Sequence, residues 1–268
     1  MIELLKQQLS RETSAEGKVN LLRESLQLTC LKIMHDSGYF SNLAFVGGTA
    51  LRILYDVRRF SEDLDFSLIE KKGYDFPEIV RVLIREFKLR GLDAEGSPKI
   101  IRTVHGSMIK FPGLLKSVGI SALESQKLSI KIEIDSNPPR GWDIENTVIN
   151  KMYLFNITHY NVPSLYASKL HACLFRKYVK GRDYYDLIWY LGKKIEPNYV
   201  LLNNAVKQTL GKDLGLDKTN LKNIVLKKLD EIDFGLVKKD VERFLEDKAE
   251  LKLLEKPIIA KGVQDIFK

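Results

Sequence analysis

Residues 63–68, Asp-Leu-Asp-Phe-Ser-Leu, alternate polar and apolar side chains without a break, the period of a strand that buries one face only. Such a strand needs partners in a sheet and a cover for its apolar side. Upstream, Ala44, Phe45 and Val46 form a short apolar run closed by Gly47 and Gly48. Thr49 then stands where it can cap a helix carrying Leu51, Ile53, Leu54 and Tyr55. Downstream, Pro77 opens a helix to about Arg90, and Ile100–Val104, Met108–Phe111 and Leu128–Ile134 read as strands punctuated by Gly and Pro. Residues 1–36 carry one or two helices. After the turn Ser136-Asn137-Pro138-Pro139 and an unassigned stretch around Trp142, the pattern is helical from Pro163 to the end. The fold class expected is α+β: a first domain over 1–150 with a mixed sheet and N-terminal helices, and an all-helical domain over 151–268, the change falling between 140 and 162.

Composition bounds the function classes. Of 268 residues, 44% are hydrophobic and 29% charged, too much apolar material for a disordered chain. The N-terminus has neither the basic nor the apolar region of a secretory signal, and no run of about 18 apolar residues could span a bilayer, so a cytoplasmic protein without membrane contact is expected. Cys30 and Cys173 lie far apart with no Cys-x-x-Cys and no histidine cluster, which argues against zinc and disulfides. Of the 43 Lys and Arg and 35 Asp and Glu, residues 1–150 hold 21 and 20, which leaves 22 and 15 for residues 151–268. The halves are therefore +1 and +7, and the basic half predicts a polyanionic partner, nucleic acid ahead of membrane.

Asp63 and Asp65 face one volume, where two like charges disfavour one another unless a cation or a proton intervenes. Mg2+ or Mn2+ is the expected cofactor. A strand running through Gly47-Gly48 into a helix N-terminus offers backbone N–H groups to an anion such as a triphosphate. A third carboxylate is expected from Lys131-Ile132-Glu133-Ile134-Asp135, whose Lys131, Glu133 and Asp135 share a face. Glu133 is assigned to the metal, where it could also take the proton of an attacking hydroxyl, with Asp135 in reserve. On the helix after Pro163, Lys169 and Arg176 are seven residues apart and share a face from which both could reach phosphates. Gly181 breaks that helix. Asp183 then either caps the next one or holds Lys169 and Arg176 in position, and Arg182 can pair with a carboxylate. The four histidines show no ligand spacing, and Tyr184, Tyr185, Trp189 and Tyr190 are read as core.

The stretch GGTALRILYDVRRFSEDLDFSL, followed in order by KIEID and SKLHACLFRKYVKGRDYYDLIWYL, resembles the signatures of the AbiEii/AbiGii-type nucleotidyltransferases, a branch of the DNA polymerase beta-like superfamily. The resemblance covers roughly residues 43–191, and its middle motif is short. It implies a polymerase beta-like nucleotidyltransferase domain followed by a helical domain, with the active site between them. Gly48 and Thr49 would hold the phosphates beside Gly47, Arg59 and Ser61 would shape the loop, and Asp63, Asp65 and Glu133 would bind the metals. Lys169 would contact the triphosphate, and Arg182, Asp183 and Asp186 would complete the helical signature. The implied activity is that of a toxin in a toxin–antitoxin system, transferring NMP from an NTP to RNA, above all the tRNA 3′ end, and the implied partner is a cognate antitoxin. Two other readings stay open: the same chemistry on a protein or small-molecule hydroxyl, and a non-catalytic module that binds nucleic acid or an antitoxin.

Overall fold

The computed structural model describes residues 1–10 and 12–267. The chain forms two compact units. One comprises Met1–Tyr55, Phe60–Asn137 and Asn146–His159, the other Asp56–Arg59, Pro138–Glu145 and the chain from Tyr160 onward. Residues 138–145 thus go with the second unit before the chain returns to the first, so the passage is not a single point.

The first unit opens with helices α1 (Ile2–Leu9) and α2 (Ala15–Asp36), the latter capped by Ser14, whose hydroxyl accepts from the Gly17 N–H at 3.0 Å. Strand β1 (Leu43–Val46) leads directly into α3 (Gly47–Tyr55), then β2 (Asp63–Leu68) and α4 (Phe76–Leu89), with Pro77 in its first turn. There follow β3 (Lys99–Ile101), β4 (Val104–Phe111), a short helix α5 (Leu114–Ser117), β5 (Leu128–Asp135), β6 (Ile144–Asn150) and β7 (Leu154–Tyr160). Among the described residues the seven strands lie in one sheet, in the order β3-β4-β5-β2-β1-β7-β6. The sheet is mixed: β2 runs antiparallel to β1 and parallel to β5, β1 is parallel to β7, and β4 is antiparallel to β3 and β5.

Alternation decides which face is covered. Leu64 and Phe66 of β2, Ile130, Ile132 and Ile134 of β5, and Ile109 and Phe111 of β4 are all buried. Helix α2 packs against β5 and α4, and α4 reaches β4, where Phe87 meets Phe111 edge to face at 4.8 Å between centroids. The residues between these apolar ones, Asp63, Asp65, Lys131 and Glu133, point the other way.

Strands β6 and β7 lie in the stretch that sequence patterning leaves unassigned. β6 is largely exposed, so it has no apolar face to betray it. β7 buries Thr158 and His159, polar residues satisfied by Asn146 Oδ1 and Thr147 Oγ1, each at 2.8 Å.

The second unit is helical, as expected from Pro163 onward: α6 (Val162–Phe175), α7 (Gly181–Gly192), α8 (Tyr199–Leu210), α9 (Lys218–Asp230), α10 (Phe234–Val241) and α11 (Lys256–Ile266). Helix α7 packs against α6, α10 and α11. Gly181 starts it in contact with the Val237 carbonyl, leaving no room for a side chain. Tyr184, Tyr185 and Tyr190 are buried, and Tyr190 stacks on Tyr166 with centroids 4.3 Å apart. These rings are core.

Candidate active site

The parallel register of β2 and β5 sets Asp63 beside Lys131, Asp65 beside Glu133 and Ser67 beside Asp135. Since adjacent strands are about 4.8 Å apart, Asp63, Asp65 and Glu133 form a compact triangle on the face the helices leave open. Lys131 sits among them, its Nζ 2.6 Å from Glu133 Oε2. Burial pulls the Lys131 ammonium down. Its bond to Glu133 and the fields of Glu133, Asp63 and Asp65 outweigh that and raise it above the ordinary lysine value.

Asp135, the reserve carboxylate, has other work. Its Oδ1 accepts the Asn137 N–H at 2.9 Å at the strand end. Burial pushes its carboxyl above the ordinary range against that bond and the His105 field.

Gly47 has φ +79°, a left-handed conformation that favours glycine. A Cβ there would run into the Asp65 carboxylate. The acidic side chain therefore lies directly against the turn that opens α3. Thr49 was expected to cap this helix, but α3 already begins at Gly47. The buried Thr49 hydroxyl instead donates to the Asp63 carbonyl, tying the first turn of α3 to the start of β2. Gly48 lies half-buried in that same turn. Ser61 is held through its carbonyl, which accepts from Nε2 of the buried Gln27 at 3.1 Å.

In donor type and facing, Asp63, Asp65 and Glu133 fit a hard divalent cation. Among the described residues no three His, Cys, Asp or Glu side chains already converge closely enough to hold one, and Lys131 holds the Glu133 oxygen that would complete the set.

The other predicted residues gather in the helical unit. Lys169 Nζ lies 2.7 Å from Asp183 Oδ1 and 2.8 Å from Asp186 Oδ2, and the Arg176 guanidinium is 2.5 Å from Asp183 Oδ2. Arg59 is buried and grips Asp186 with Nε at 2.6 Å and Nη2 at 2.5 Å, a bidentate pair. Of the two roles open to Asp183, it takes that of holding Lys169 and Arg176, because Lys180 stands at the N-cap of α7. Burial pushes the Asp183 carboxyl up, but Lys169 and Arg176 overcome this and hold it below the usual range. Burial likewise works against the Lys169 charge, and the two aspartates more than restore it. The Arg182 guanidinium lies 4.1 Å over the Phe244 ring. As found, Lys169 is the centre of a buried ion network, and contact with a triphosphate would require it to exchange these partners. Neither Lys131 in the acidic triangle nor Gln27 behind Ser61 was assigned a part from sequence. Lys131 was at least visible as a residue sharing the Glu133 face.

A mixed sheet carrying a paired-aspartate strand beside a glycine turn, with helices following, is an α+β architecture of the nucleotidyltransferase kind. The chain belongs to the family of nucleotidyl transferase AbiEii toxins of type IV toxin–antitoxin systems, whose model matches residues 30–265. No curated protein sequence matches it closely enough to count as a relative. Two solved structures from Helicobacter pylori share the fold. JHP933 is 18% identical, with 92% of this chain and 91% of that one covered and a TM-score of 0.56. A protein assigned as a nucleotidyltransferase has the same identity and TM-score and covers 92% and 94%. Among the described residues no helix is long and apolar enough to cross a membrane, and both cysteines are buried and free.

Proposed function

We propose that this protein is a metal-dependent nucleotidyltransferase that moves a nucleoside monophosphate from an NTP to an RNA hydroxyl, the tRNA 3′ end being the preferred acceptor. One observation carries the reading: Asp63, Asp65 and Glu133 share the open face of two adjacent strands, with Asp65 pressed against the glycine turn at the start of α3. Membership in a nucleotidyltransferase toxin family supports an NTP as donor and an antitoxin as partner.

Asp63, Asp65 and Glu133 would hold Mg2+ or Mn2+, which when bound neutralises phosphate charge and lowers the pKa of the acceptor hydroxyl. The N–H groups at the start of α3, around Gly47 and Gly48, receive triphosphate oxygens. Thr49 keeps that turn in register with Asp63. Glu133 takes the proton of the attacking hydroxyl, whose oxygen bonds to the α-phosphorus as the bond to pyrophosphate breaks in line.

The test is incubation with total RNA and each α-labelled NTP in Mg2+. The reading expects label in tRNA, each molecule longer by one or a few nucleotides. Label appearing in protein or small molecules instead, with all RNA unlabelled, contradicts it.

A further inference from the structure

The open face of the sheet does not end at the acidic triangle. The antiparallel register of β4 with its neighbours continues it outward, setting Gly106 between Glu133 of β5 and Lys99 of β3, and Met108 beside Lys131. Asp65, Glu133, Gly106 and Lys99 thus form one row across four strands, about 14 Å long at about 4.8 Å per strand. A groove of about 610 Å³ follows this face, lined among others by Lys99, Ile101, Val104, Gly106, Met108 and Lys110, and reaching Lys131 and Glu133.

Three features of the groove lack a purpose in the fold. Ile101, Val104 and Met108 are exposed at 54%, 43% and 42%, apolar surface set within reach of the acidic site. Lys99 and Lys110 make no close ion pair among the described residues, in contrast to Lys131 on Glu133 and Lys127 on Glu95; Glu95, which also lines the groove, lies near enough to Lys110 to feel its charge but is held by Lys127. Gly106 sits in a strand interior, where glycine weakens the strand. It does not have a left-handed φ, and a Cβ there would meet only Ile132 O at 3.7 Å and Glu133 Cγ at 3.9 Å, ordinary contacts. The fold would accept a larger residue, and its absence leaves a gap in the row beside Glu133.

We propose that this groove binds the single-stranded end of the acceptor RNA, with Lys99 and Lys110 on its phosphates, bases against Ile101, Val104 and Met108, and the strand crossing Gly106 to bring its terminal hydroxyl to Glu133. Ammonium groups without a close ion pair, set beside exposed apolar surface, offer phosphates and bases of one strand a partner each. The inference rests on reading Asp63, Asp65 and Glu133 as the transfer centre.

The test measures binding of a fluorescent single-stranded RNA oligonucleotide without NTP, in parallel with NTP binding and transfer. Gly106→Val, whose Cβ the strand accommodates, should leave melting and NTP binding as in the parent and weaken RNA binding and transfer at least tenfold. Lys99→Ala with Lys110→Ala should weaken RNA binding and flatten its dependence of log K on log salt by about 1.4, about 0.7 for each phosphate left without its ammonium. Asp65→Ala should bind RNA and transfer nothing. If the groove variants bind RNA as the parent does while Asp65→Ala is inactive, the groove is wrong and the transfer centre stands. If Asp65→Ala transfers normally, the transfer centre itself is wrong. A DNA oligonucleotide of the same sequence that binds equally well would overturn the assignment to RNA, and an acidic peptide that displaces the oligonucleotide at equal concentration would overturn the assignment to nucleic acid.

Discussion

Replacing Asp186 by Ala tests what the helical signature does. Its carboxylate is buried, accepts two charge-assisted hydrogen bonds from Arg59 and forms an ion pair with Lys169 at 2.8 Å. Arg59, Lys169 and Arg176 set against Asp183 and Asp186 give the cluster a net charge of +1. Asp186→Ala raises this to +2 and removes the bidentate carboxylate held by the Arg59 guanidinium, whose side chain is 2% exposed. Removing one partner of a buried pair costs about 3–5 kcal/mol. With two cations losing a partner, the upper part of that range applies. At about 4 °C per kcal/mol for a unit of this size, the upper part of the range, about 4–5 kcal/mol, should lower melting of the helical unit by ~16–20 °C. Lys169→Met takes the cluster to zero net charge and should destabilise less. Differential scanning calorimetry of the three proteins gives the ranking. An Asp186→Ala variant melting within about 3 °C of the parent, or below which Lys169→Met lies, would refute the argument that these residues form a structural network.

Asp183 gives the pH dependence. Its folded carboxyl titrates below its unfolded value, so its stabilisation is complete above the ordinary range near 4 and is lost as pH falls through the folded value. The stability gap between the parent and Asp183→Asn should therefore be constant from pH 5 to 8 in urea titrations and close below about pH 4; a gap that closes on raising the pH contradicts this. Gly47→Ala combines a φ of +79° with a Cβ against Asp65, whereas Gly38→Ala, at φ +76° with open space around it, has the backbone strain alone. Both should lose about 1 kcal/mol or more of stability, but transfer should drop at least tenfold only in Gly47→Ala; equal activities would mean that the Asp65 contact is immaterial. Lys131→Met removes the cation now shared by the three carboxylates, so half-maximal transfer should need less Mg2+ than in the parent, and an unchanged or higher requirement contradicts the sharing.

Much of the sheet unit was legible because its signals are local. Alternation in Asp63–Leu68 and Leu128–Ile134 marks strands; the burial period holds throughout Leu128–Ile134 and from Asp63 to Phe66, where the buried Ser67 ends it, and Pro77 and Pro163 lie in the first turns of α4 and α6. Register is not local. Nothing within Lys131–Asp135 says that Glu133, and not Asp135, lies beside Asp65, since that follows from how two distant strands slide against each other. The same holds for Arg59 and Asp186, 127 residues apart. Sequence marks both, but their pairing inside the protein is a tertiary fact. Thr49 shows how a local rule is overridden. Its hydroxyl would suit an N-cap, but α3 starts two residues earlier on Gly47, and the Asp63 carbonyl claims it. β6 and β7 stayed hidden because exposed residues and hydrogen-bonded buried polar ones blur the apolar period.

The most direct test of the central claim compares the parent with Asp65→Ala in transfer of α-labelled nucleotide to RNA under excess Mg2+, with circular dichroism and melting recorded on the same samples. Removing one of several like charges from the acidic face should leave the fold intact, so the account predicts a variant that melts with the parent and transfers at least a thousandfold less nucleotide. A folded Asp65→Ala protein that labels RNA at the parental rate would contradict it.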